Sequence, residues 1–298
     1  MTEQYRDVRG EPAIAVRSWP SGSIGPSRSL LPFVIPATIF TMAIFLAPLW
    51  SVLRQSLFDP NFTLNGYSEI IESHLFIKIL YNTLQISLTA AFVTLIVGYP
   101  IAYHLSRQSP RRRALLLILV MLPFWTSILV KSYAFMVILG QDGIINTVLY
   151  SVGLPKIQLL YNRTGVIIGT VHFLVPFVLF PIMTSLLGQN PDLARAAQIM
   201  GASRLRIFLR ITLPLSLPGV AAGGLLALVQ TFGFFITTAL LGGRGDLMMA
   251  NLIDLYTREI LNWNLASAVA VTLLALSGGI IFALGRVRGG MSAFGQAA

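Results

Sequence analysis

The segment ITLPLSLPGVAAGGLLALVQTFGFFITTALLGG, from Ile211 to Gly243, is 33 residues long and carries no formal charge. A helix needs about 20 apolar residues to cross the ~30 Å hydrocarbon layer of a bilayer. Lipid offers no hydrogen bonds, so the backbone of such a segment must pair within itself, as it does in a helix. The segment therefore predicts a transmembrane helix.

Five further windows of 25 residues or more have the same character, and Lys131 is the one formal charge inside them. They are Ser29–Leu53, Ile79–Ser106, Ala114–Gln141, Thr164–Pro191 and Ile260–Gly285. Each window predicts one continuous helix, so we expect an all-α integral membrane fold with six transmembrane helices. The expected spans are residues 30–53, 80–105, 114–139, 164–187, 215–242 and 262–285, within one membrane domain of residues 29–288.

The composition excludes an ordinary soluble enzyme. Of the 298 residues, 55% are hydrophobic and 11% are charged, whereas soluble domains average about 25% charged residues. The chain has no cysteine and three histidines, and it contains no His-Glu-x-x-His, Gly-x-Ser-x-Gly or Gly-x-x-x-x-Gly-Lys-Ser/Thr motif. We therefore predict no catalytic residue, no metal site and no cofactor bound by this chain.

The basic residues predict the orientation of the chain in the membrane. With the N-terminus inside, 14 of the 21 Lys and Arg residues fall in inside segments and six fall in outside segments. Cytoplasmic loops carry such an excess, so we expect both termini in the cytoplasm, as polar tails of residues 1–28 and 289–298. The cluster Arg111-Arg112-Arg113 is explained by this bias and by nearby anionic lipid, and we expect no nucleic-acid partner. Outside, Gly143–Pro155 and Leu247–Ile260 predict short interfacial helices.

The cytoplasmic loop of residues 188–214 has the signals of two helices joined by a bend. Asn190 is a good N-cap, Pro191 suits the first helical position, and Asp192 favours the positive end of the helix dipole. Gly201 can end this helix in a left-handed conformation, and Ser203 can cap a second one. The small Ala196-Ala197 pair lets another protein approach closely, so we interpret the loop as a docking surface. Residues 188–214 are called the docking loop below.

The loop resembles the EAA loop of the permease subunits of ATP-binding-cassette importers. Its Glu-Ala-Ala, Gly, Ile and Leu-Pro positions have the family spacing here, with Arg195 in place of the usual Glu. The resemblance implies that the loop couples the membrane spans to an ATPase. The residues that it assigns to coupling are Asp192, Arg195, Ala196, Ala197, Gly201, Ala202, Ser203, Arg206, Ile211, Leu213 and Pro214.

The resemblance continues along most of the chain. The motifs that carry it are Asn82-Thr83-Leu84, Leu122-Pro123-Phe124-Trp125, Lys131-Ser132-Tyr133-Ala134, Pro176-Phe177 and Leu241-Gly242-Gly243. They are similar to the first of the two permease subunits in spermidine/putrescine-type importers. The resemblance implies a type I importer transmembrane domain in the bacterial inner membrane. It also implies a second homologous permease, an ATPase dimer that binds ATP and Mg, and an extracytoplasmic solute-binding protein.

Polar and aromatic residues within the spans are the candidates for a solute path. They are Lys131, Tyr133, His172, Gln230, Thr231, Phe234, Thr237 and Thr238. The competing interpretation of Lys131 is structural, because its long stem can carry the ammonium to a polar layer. A lone histidine without a carboxylate in its window is a weak candidate for a proton relay.

The sequence leaves the solute open. A polyamine is what the family resemblance implies, but no Asp or Glu lies in any predicted span to bind a cation. An amino-acid derivative, a phosphonate or another small polar organic solute is the alternative, with Lys131 as its counter-charge. A secondary transporter or a channel is a distant alternative. A secondary transporter should show repeat symmetry and ionisable pairs in its spans, which the sequence does not show, and a channel would not need a bent helix pair on a cytoplasmic loop.

Overall fold

The computed structural model describes residues 31–59 and 61–295, with the side chains of 31–34, 284 and 287–295 left out. The predicted N-terminal tail, residues 1–28, lies outside the described residues. Contacts divide the chain into two compact units, residues 1–49 and 50–298. The described part of the first unit is the beginning of helix α1, which runs from Leu31 to Leu57.

The remaining elements are helices, apart from one short antiparallel pair of strands in which β1 (Phe58–Asp59) pairs with β2 (Asn61–Phe62). The helices are α2 (Asn65–Glu72), α3 (His74–Ser106), α4 (Pro110–Met121), α5 (Ile128–Leu139), α6 (Ile144–Ser151), α7 (Arg163–Leu187), α8 (Pro191–Ile199), α9 (Arg204–Ile207), α10 (Leu213–Phe232), α11 (Ile236–Leu241), α12 (Met249–Asp254) and α13 (Trp263–Gly295). A 3₁₀ turn covers Leu122–Trp125, and π-helical turns cover Phe208–Thr212 and Leu255–Glu259.

Six segments of the described chain are long and apolar enough to cross a membrane, which confirms the predicted number. They are Ile35–Leu57, His74–Ser106, Ile128–Ser151, Arg163–Leu187, Arg204–Phe232 and Trp263–Ala283. The all-α fold class is also confirmed. Helix α13 continues to Gly295, past the predicted end of the last span.

Two of the windows do not form the single continuous helices that we expected. In the predicted span 114–139, α4 ends at Met121 and α5 begins at Ile128. Pro123 lacks a backbone N–H and lies in the 3₁₀ turn, and Thr126 after it is extended, with ψ 147°. The predicted span 215–242 is likewise interrupted after Phe232, where Gly233 caps α10 before α11 begins at Ile236.

The core of the second unit is formed by α3, α7 and α10. Ala90 on α3, Leu174 and Ile182 on α7, and Ala227 on α10 are all fully buried in one apolar cluster. A smaller cluster joins α2 and the start of α3 to α12 and α13, through Ile70, Phe76, Leu252 and Val269 among others. These two clusters hold the helices from which the docking loop and the span side chains project.

Glycines let α7 and α10 approach each other to backbone contact. A Cβ at Gly219 would lie 2.6 Å from the backbone oxygen of Pro181, and a Cβ at Gly223 would lie 3.0 Å from that of Val178. The two glycines are four residues apart and therefore share a face of α10. This Gly-x-x-x-Gly arrangement is typical of closely packed transmembrane helices.

Candidate functional site

The first helix of the docking loop begins where the sequence predicts. The side-chain oxygen of Asn190 accepts a hydrogen bond from the backbone N–H of Asp192 at 2.9 Å, and Pro191 is the first residue of α8. Proline suits this position because the first helical N–H has no partner within the helix. Asp192 lies in the first turn, where the helix dipole favours a negative charge.

The bend of the loop is also as predicted. Gly201 has φ +80°, a left-handed conformation that strains residues with a Cβ. The backbone N–H of Ala202 donates to the carbonyl of Ala197 at 2.9 Å and closes the end of α8. Ser203 then caps α9 by accepting from the N–H of Arg206 at 3.3 Å. The loop therefore has fixed helix ends on both sides of one glycine.

The second helix of the loop continues into the fifth span without a break. Four residues of α9 are followed by the π-helical turn Phe208–Thr212 and then by α10, which begins at Leu213 with Pro214 in its first turn. Ile211, assigned to coupling by the family spacing, lies in this π-helical turn. A continuous helical path therefore joins α9 to α10.

Helix α8 exposes an apolar face. Leu193, Ile199 and Met200 are 48%, 87% and 79% exposed, and Ala196 between them is exposed too, whereas Ala197 is buried. Arg195 forms an ion pair with Asp192 one turn away, at 3.1 Å. Arg195, which stands where the resembled family usually has Glu, is therefore paired with an acidic residue of its own helix.

Three of the solute-path candidates come together around a cluster of phenylalanines. The Nζ of Lys131 lies 4.8 Å from the centre of the Phe173 ring, and Phe234 packs edge-on against Phe173 at 5.1 Å. His172 packs against Phe135, with the ring centres 5.2 Å apart. Lys131, His172 and Phe173 help to line a cavity of about 220 Å³.

Neither Phe234 nor the other five candidates line this cavity. The hydroxyl of Thr231 donates to its own helix, to the carbonyl of Ala227 at 2.7 Å. Thr238 is buried and donates to the side-chain oxygen of Asn251 at 2.7 Å. Thr237 is buried as well, while Gln230 and Tyr133 are exposed on the surface of this chain.

A polar cluster that the sequence analysis missed joins three segments at the end of the domain opposite the docking loop. The guanidinium of Arg163, at the start of α7, donates to Asp246 at 3.3 Å and to Asn82 on α3 at 3.0 Å. Asn82 in turn donates to the carbonyl of Gly245 at 2.6 Å. The Arg163 and Asp246 side chains are 34% and 13% exposed. In the sequence, Arg163 and Asp246 are charges between predicted spans and indicate only orientation, whereas Asn82 belongs to the Asn82-Thr83-Leu84 motif.

No group of three or more His, Asp or Glu side chains that could hold a metal ion occurs within residues 31–59 and 61–295. The described part of the chain is thus a bundle of apolar spans with a capped, bent helix pair on one connecting loop.

Comparison with known proteins assigns the family. The profile of the binding-protein-dependent transport system inner membrane component matches residues 90–286, and the chain belongs to this family. It is therefore a multi-pass permease subunit of the inner membrane.

Curated relatives match over most of their length. The chain is 37% identical to the spermidine/putrescine transport system permease protein PotB of Haemophilus influenzae, over 74% of this chain and 77% of that protein. It is 34% identical to PotB of Escherichia coli, over 73% and 79%. It is 29% identical to a putative 2-aminoethylphosphonate transport system permease protein, PhnU, of Salmonella choleraesuis, over 84% and 88%.

Solved structures share the fold. A bacterial transporter that imports the acidic polysaccharide alginate gives a TM-score of 0.71 at 21% identity, over 87% of this chain and 94% of that chain. The MetNI methionine transporter gives 0.53 at 19% identity, over 72% and 97%.

Proposed function

We propose that this permease forms half of a translocation pore with a second homologous permease, and that its docking loop binds one subunit of an ATPase dimer. The ATPase hydrolyses ATP with Mg, and an extracytoplasmic binding protein delivers the solute. The observation that carries the proposal is the exposed apolar face of α8, since Leu193, Ile199 and Met200 form a patch on a helix that is fixed at both ends. Such a patch marks an interaction site.

A substitution at Gly201 tests the docking role. Gly201→Asp adds a side chain at φ +80°, where nothing lies within 4 Å, so the added atoms disturb the bend and the surface but not the packing of the spans. Gly153 is a matched control, because it has φ +81° and equally open surroundings in the loop after α6. We expect Gly201→Asp to abolish ATP-driven uptake and binding-protein stimulation of the ATPase in proteoliposomes, and Gly153→Asp to retain both. Equal activity of the two variants would contradict the docking role.

We further propose that the docking loop and both termini face the cytoplasm, as the excess of basic residues at that end predicts. The chain has no cysteine, so single cysteines can be labelled without a background. An impermeant maleimide applied to intact spheroplasts should label a cysteine at Ser151 and leave a cysteine at Ser203 unlabelled until the membrane is opened. The reverse pattern would invert the topology.

A polyamine is the solute that we propose, because both PotB relatives carry spermidine and putrescine in their names and are more than 30% identical to this chain. A phosphonate is the second candidate. The ammonium of Lys131 at the aromatic cavity favours it, since a fixed positive charge attracts an anionic group and repels a polyamine.

Uptake assays separate the two solutes. Proteoliposomes with the complete transporter and its binding protein would be given labelled spermidine or labelled 2-aminoethylphosphonate. Competition by unlabelled spermidine alone supports the polyamine proposal. Uptake of the phosphonate that is lost in Lys131→Met, with ATPase activity retained, overturns it in favour of the anion.

A further inference from the structure

A cavity of about 430 Å³ lies behind α8, between the ends of α3 and α7 and the start of α10. It is distinct from the aromatic cavity, and of the residues that the family resemblance assigns to coupling only Arg195 and Ile211 line it. The side chains that decide its chemistry are Arg107, Leu187, Arg195, Gln198 and Leu215.

The cavity and the apolar docking patch lie on different faces of α8. Pro191, Ala194, Arg195 and Gln198 line the cavity, and their spacing of three, four and seven residues places them on one helix face. Leu193, Ile199 and Met200 are exposed and do not line it. A ligand in the cavity would therefore contact a side of α8 other than the apolar patch that we propose binds the ATPase.

Two guanidinium groups are the only formal charges that line the cavity. Arg107 is held over the Tyr103 ring at 4.7 Å, an arrangement that leaves its N–H groups directed outward at the edge of the guanidinium plane. Arg195 gives one N–H to Asp192 at 3.1 Å, out of the five that a guanidinium carries. Asp192 itself does not line the cavity, so this volume favours an anion.

Two of the other polar side chains of the wall are bonded within the protein. Gln189 donates to the carbonyl of Thr212 at 3.0 Å, and Asn190 caps α8. Leu187 and Leu215, each 45% exposed, form an apolar wall beside the arginines. A phosphate group bonded to the arginines could therefore be joined to apolar chains that cover these leucines.

We propose that this cavity binds the phosphate of an anionic phospholipid headgroup, with the acyl chains against Leu187 and Leu215. Basic pockets between spans on the cytoplasmic side are suited to such headgroups. The proposal rests on the cytoplasmic orientation proposed above. Because Arg195 lies on α8 and Arg107 at the end of α3, the lipid would tie the docking helix to a span and adjust how firmly the loop is held.

Lipid retention by the intact transporter tests the proposal. The complete complex would be purified into nanodiscs of phosphatidylcholine with a small fraction of phosphatidylglycerol, and bound lipid would be counted by native mass spectrometry. We expect the affinity for phosphatidylglycerol to fall about fivefold in Arg107→Gln or Arg195→Gln and about 25-fold in the double variant, from the typical contribution of one basic residue near an anionic surface. Lysine at either position should restore most of the affinity.

The matched control is Arg111→Gln with Arg112→Gln, which removes the same charge from exposed residues that do not line the cavity. It should change the affinity by less than twofold. An equal loss in the control would assign the lipid to general charge and overturn the proposal, as would an unchanged affinity in the double variant.

Two further measurements are needed. The first distinguishes a lipid headgroup from a soluble phosphate, and the second distinguishes failure of the lipid proposal from failure of the proposed ATPase docking. Soluble glycerol phosphate should not displace the bound lipid at millimolar concentration. Displacement without any selective retention of phosphatidylglycerol would indicate a soluble phosphate ligand and overturn the lipid assignment. The same mass spectra report the ATPase subunits, so a complex that keeps its ATPase but shows no lipid preference refutes this inference alone.

Discussion

The contact between α7 and α10 provides a sharp test of the fold. In Gly219→Ala the new methyl group would lie 2.5 Å from the Cβ of Ser185 and 2.6 Å from the backbone oxygen of Pro181. Relaxed contacts between such atoms lie at about 3.5–4 Å, so the helices must separate by roughly 1 Å. The carbonyl belongs to the backbone of α7 and cannot rotate away, in contrast to the tip of a flexible side chain.

The expected loss follows from two opposing terms. Alanine in a helix interior is favoured over glycine by about 1 kcal/mol, whereas overpacking of a close contact costs about 1–3 kcal/mol. Gly279→Ala in α13 gives the helix-propensity gain without overpacking, because nothing lies within 4 Å of a Cβ at that position. The two variants should therefore differ by the overpacking term, about 1–3 kcal/mol, with Gly219→Ala the less stable.

A second control lies on the same helix. The nearest neighbour of a Cβ at Gly224 would be the side chain of Leu95, at 3.1 Å, which can shift by changing its rotamer. The apparent melting temperature of the purified transporter can be measured in one detergent by a fluorescence scan that does not depend on thiols. It should be highest for Gly279→Ala, intermediate for Gly224→Ala and lowest for Gly219→Ala. If Gly219→Ala melts at or above Gly279→Ala, α7 and α10 are not in backbone contact and the packing described here is wrong.

Three other experiments test individual contacts. A double-mutant cycle of Arg163→Gln and Asp246→Asn should give a coupling energy of about 1–3 kcal/mol in detergent unfolding, as for a partly buried charged hydrogen bond. The Arg258 and Asp254 pair, in which the Arg258 side chain is 76% exposed, should give less than about 1 kcal/mol. Equal values would remove any special role for the partly buried pair. The Asn146 side chain is hydrogen-bonded to the carbonyls of Gly140 and Ile157 and to the N–H of Ile157. Asn146→Ala should therefore speed limited proteolysis after α6, whereas Ser151→Ala, which loses one exposed hydrogen bond, should not. Unchanged digestion of Asn146→Ala would argue that these hydrogen bonds do not hold the segment after α6. Asn190→Ala removes the cap of α8 and should weaken that helix by about 1 kcal/mol. The backbone amides of residues 191–199 should then exchange faster than in the control variant Gln198→Ala. Unchanged exchange would show that the cap is dispensable.

The parts of the molecule governed by local rules were predictable from the sequence. Residues 190–203 illustrate this: Asn190, Pro191, Gly201 and Ser203 each have a backbone preference that acts within a few residues, and all four adopt it. The number of spans was predictable for a similar reason, since the length of an apolar segment alone decides whether it can cross lipid.

The helix breaks at Pro123 and Gly233 were harder to predict from the sequence, although both residues are visible in it. Proline and glycine are common in transmembrane helices, where neighbouring helices can satisfy the freed backbone groups. Their presence in an apolar window therefore does not decide between a kinked helix and a broken one. Packing between segments decides it here, since α5 and α11, the helices that follow the two breaks, contact each other.

What the sequence by itself determined is the class of environment, the six apolar segments and the shape of the docking loop, because these depend on composition and on interactions between near neighbours. The tertiary structure decided which polar side chains meet. Lys131 meets Phe173 across 42 residues, and Arg163 meets Asp246 across 83. It also decided that Thr231 and Thr238 are buried in internal hydrogen bonds. Such contacts depend on how whole helices pack, and no periodicity within a single segment encodes the position of a partner on another.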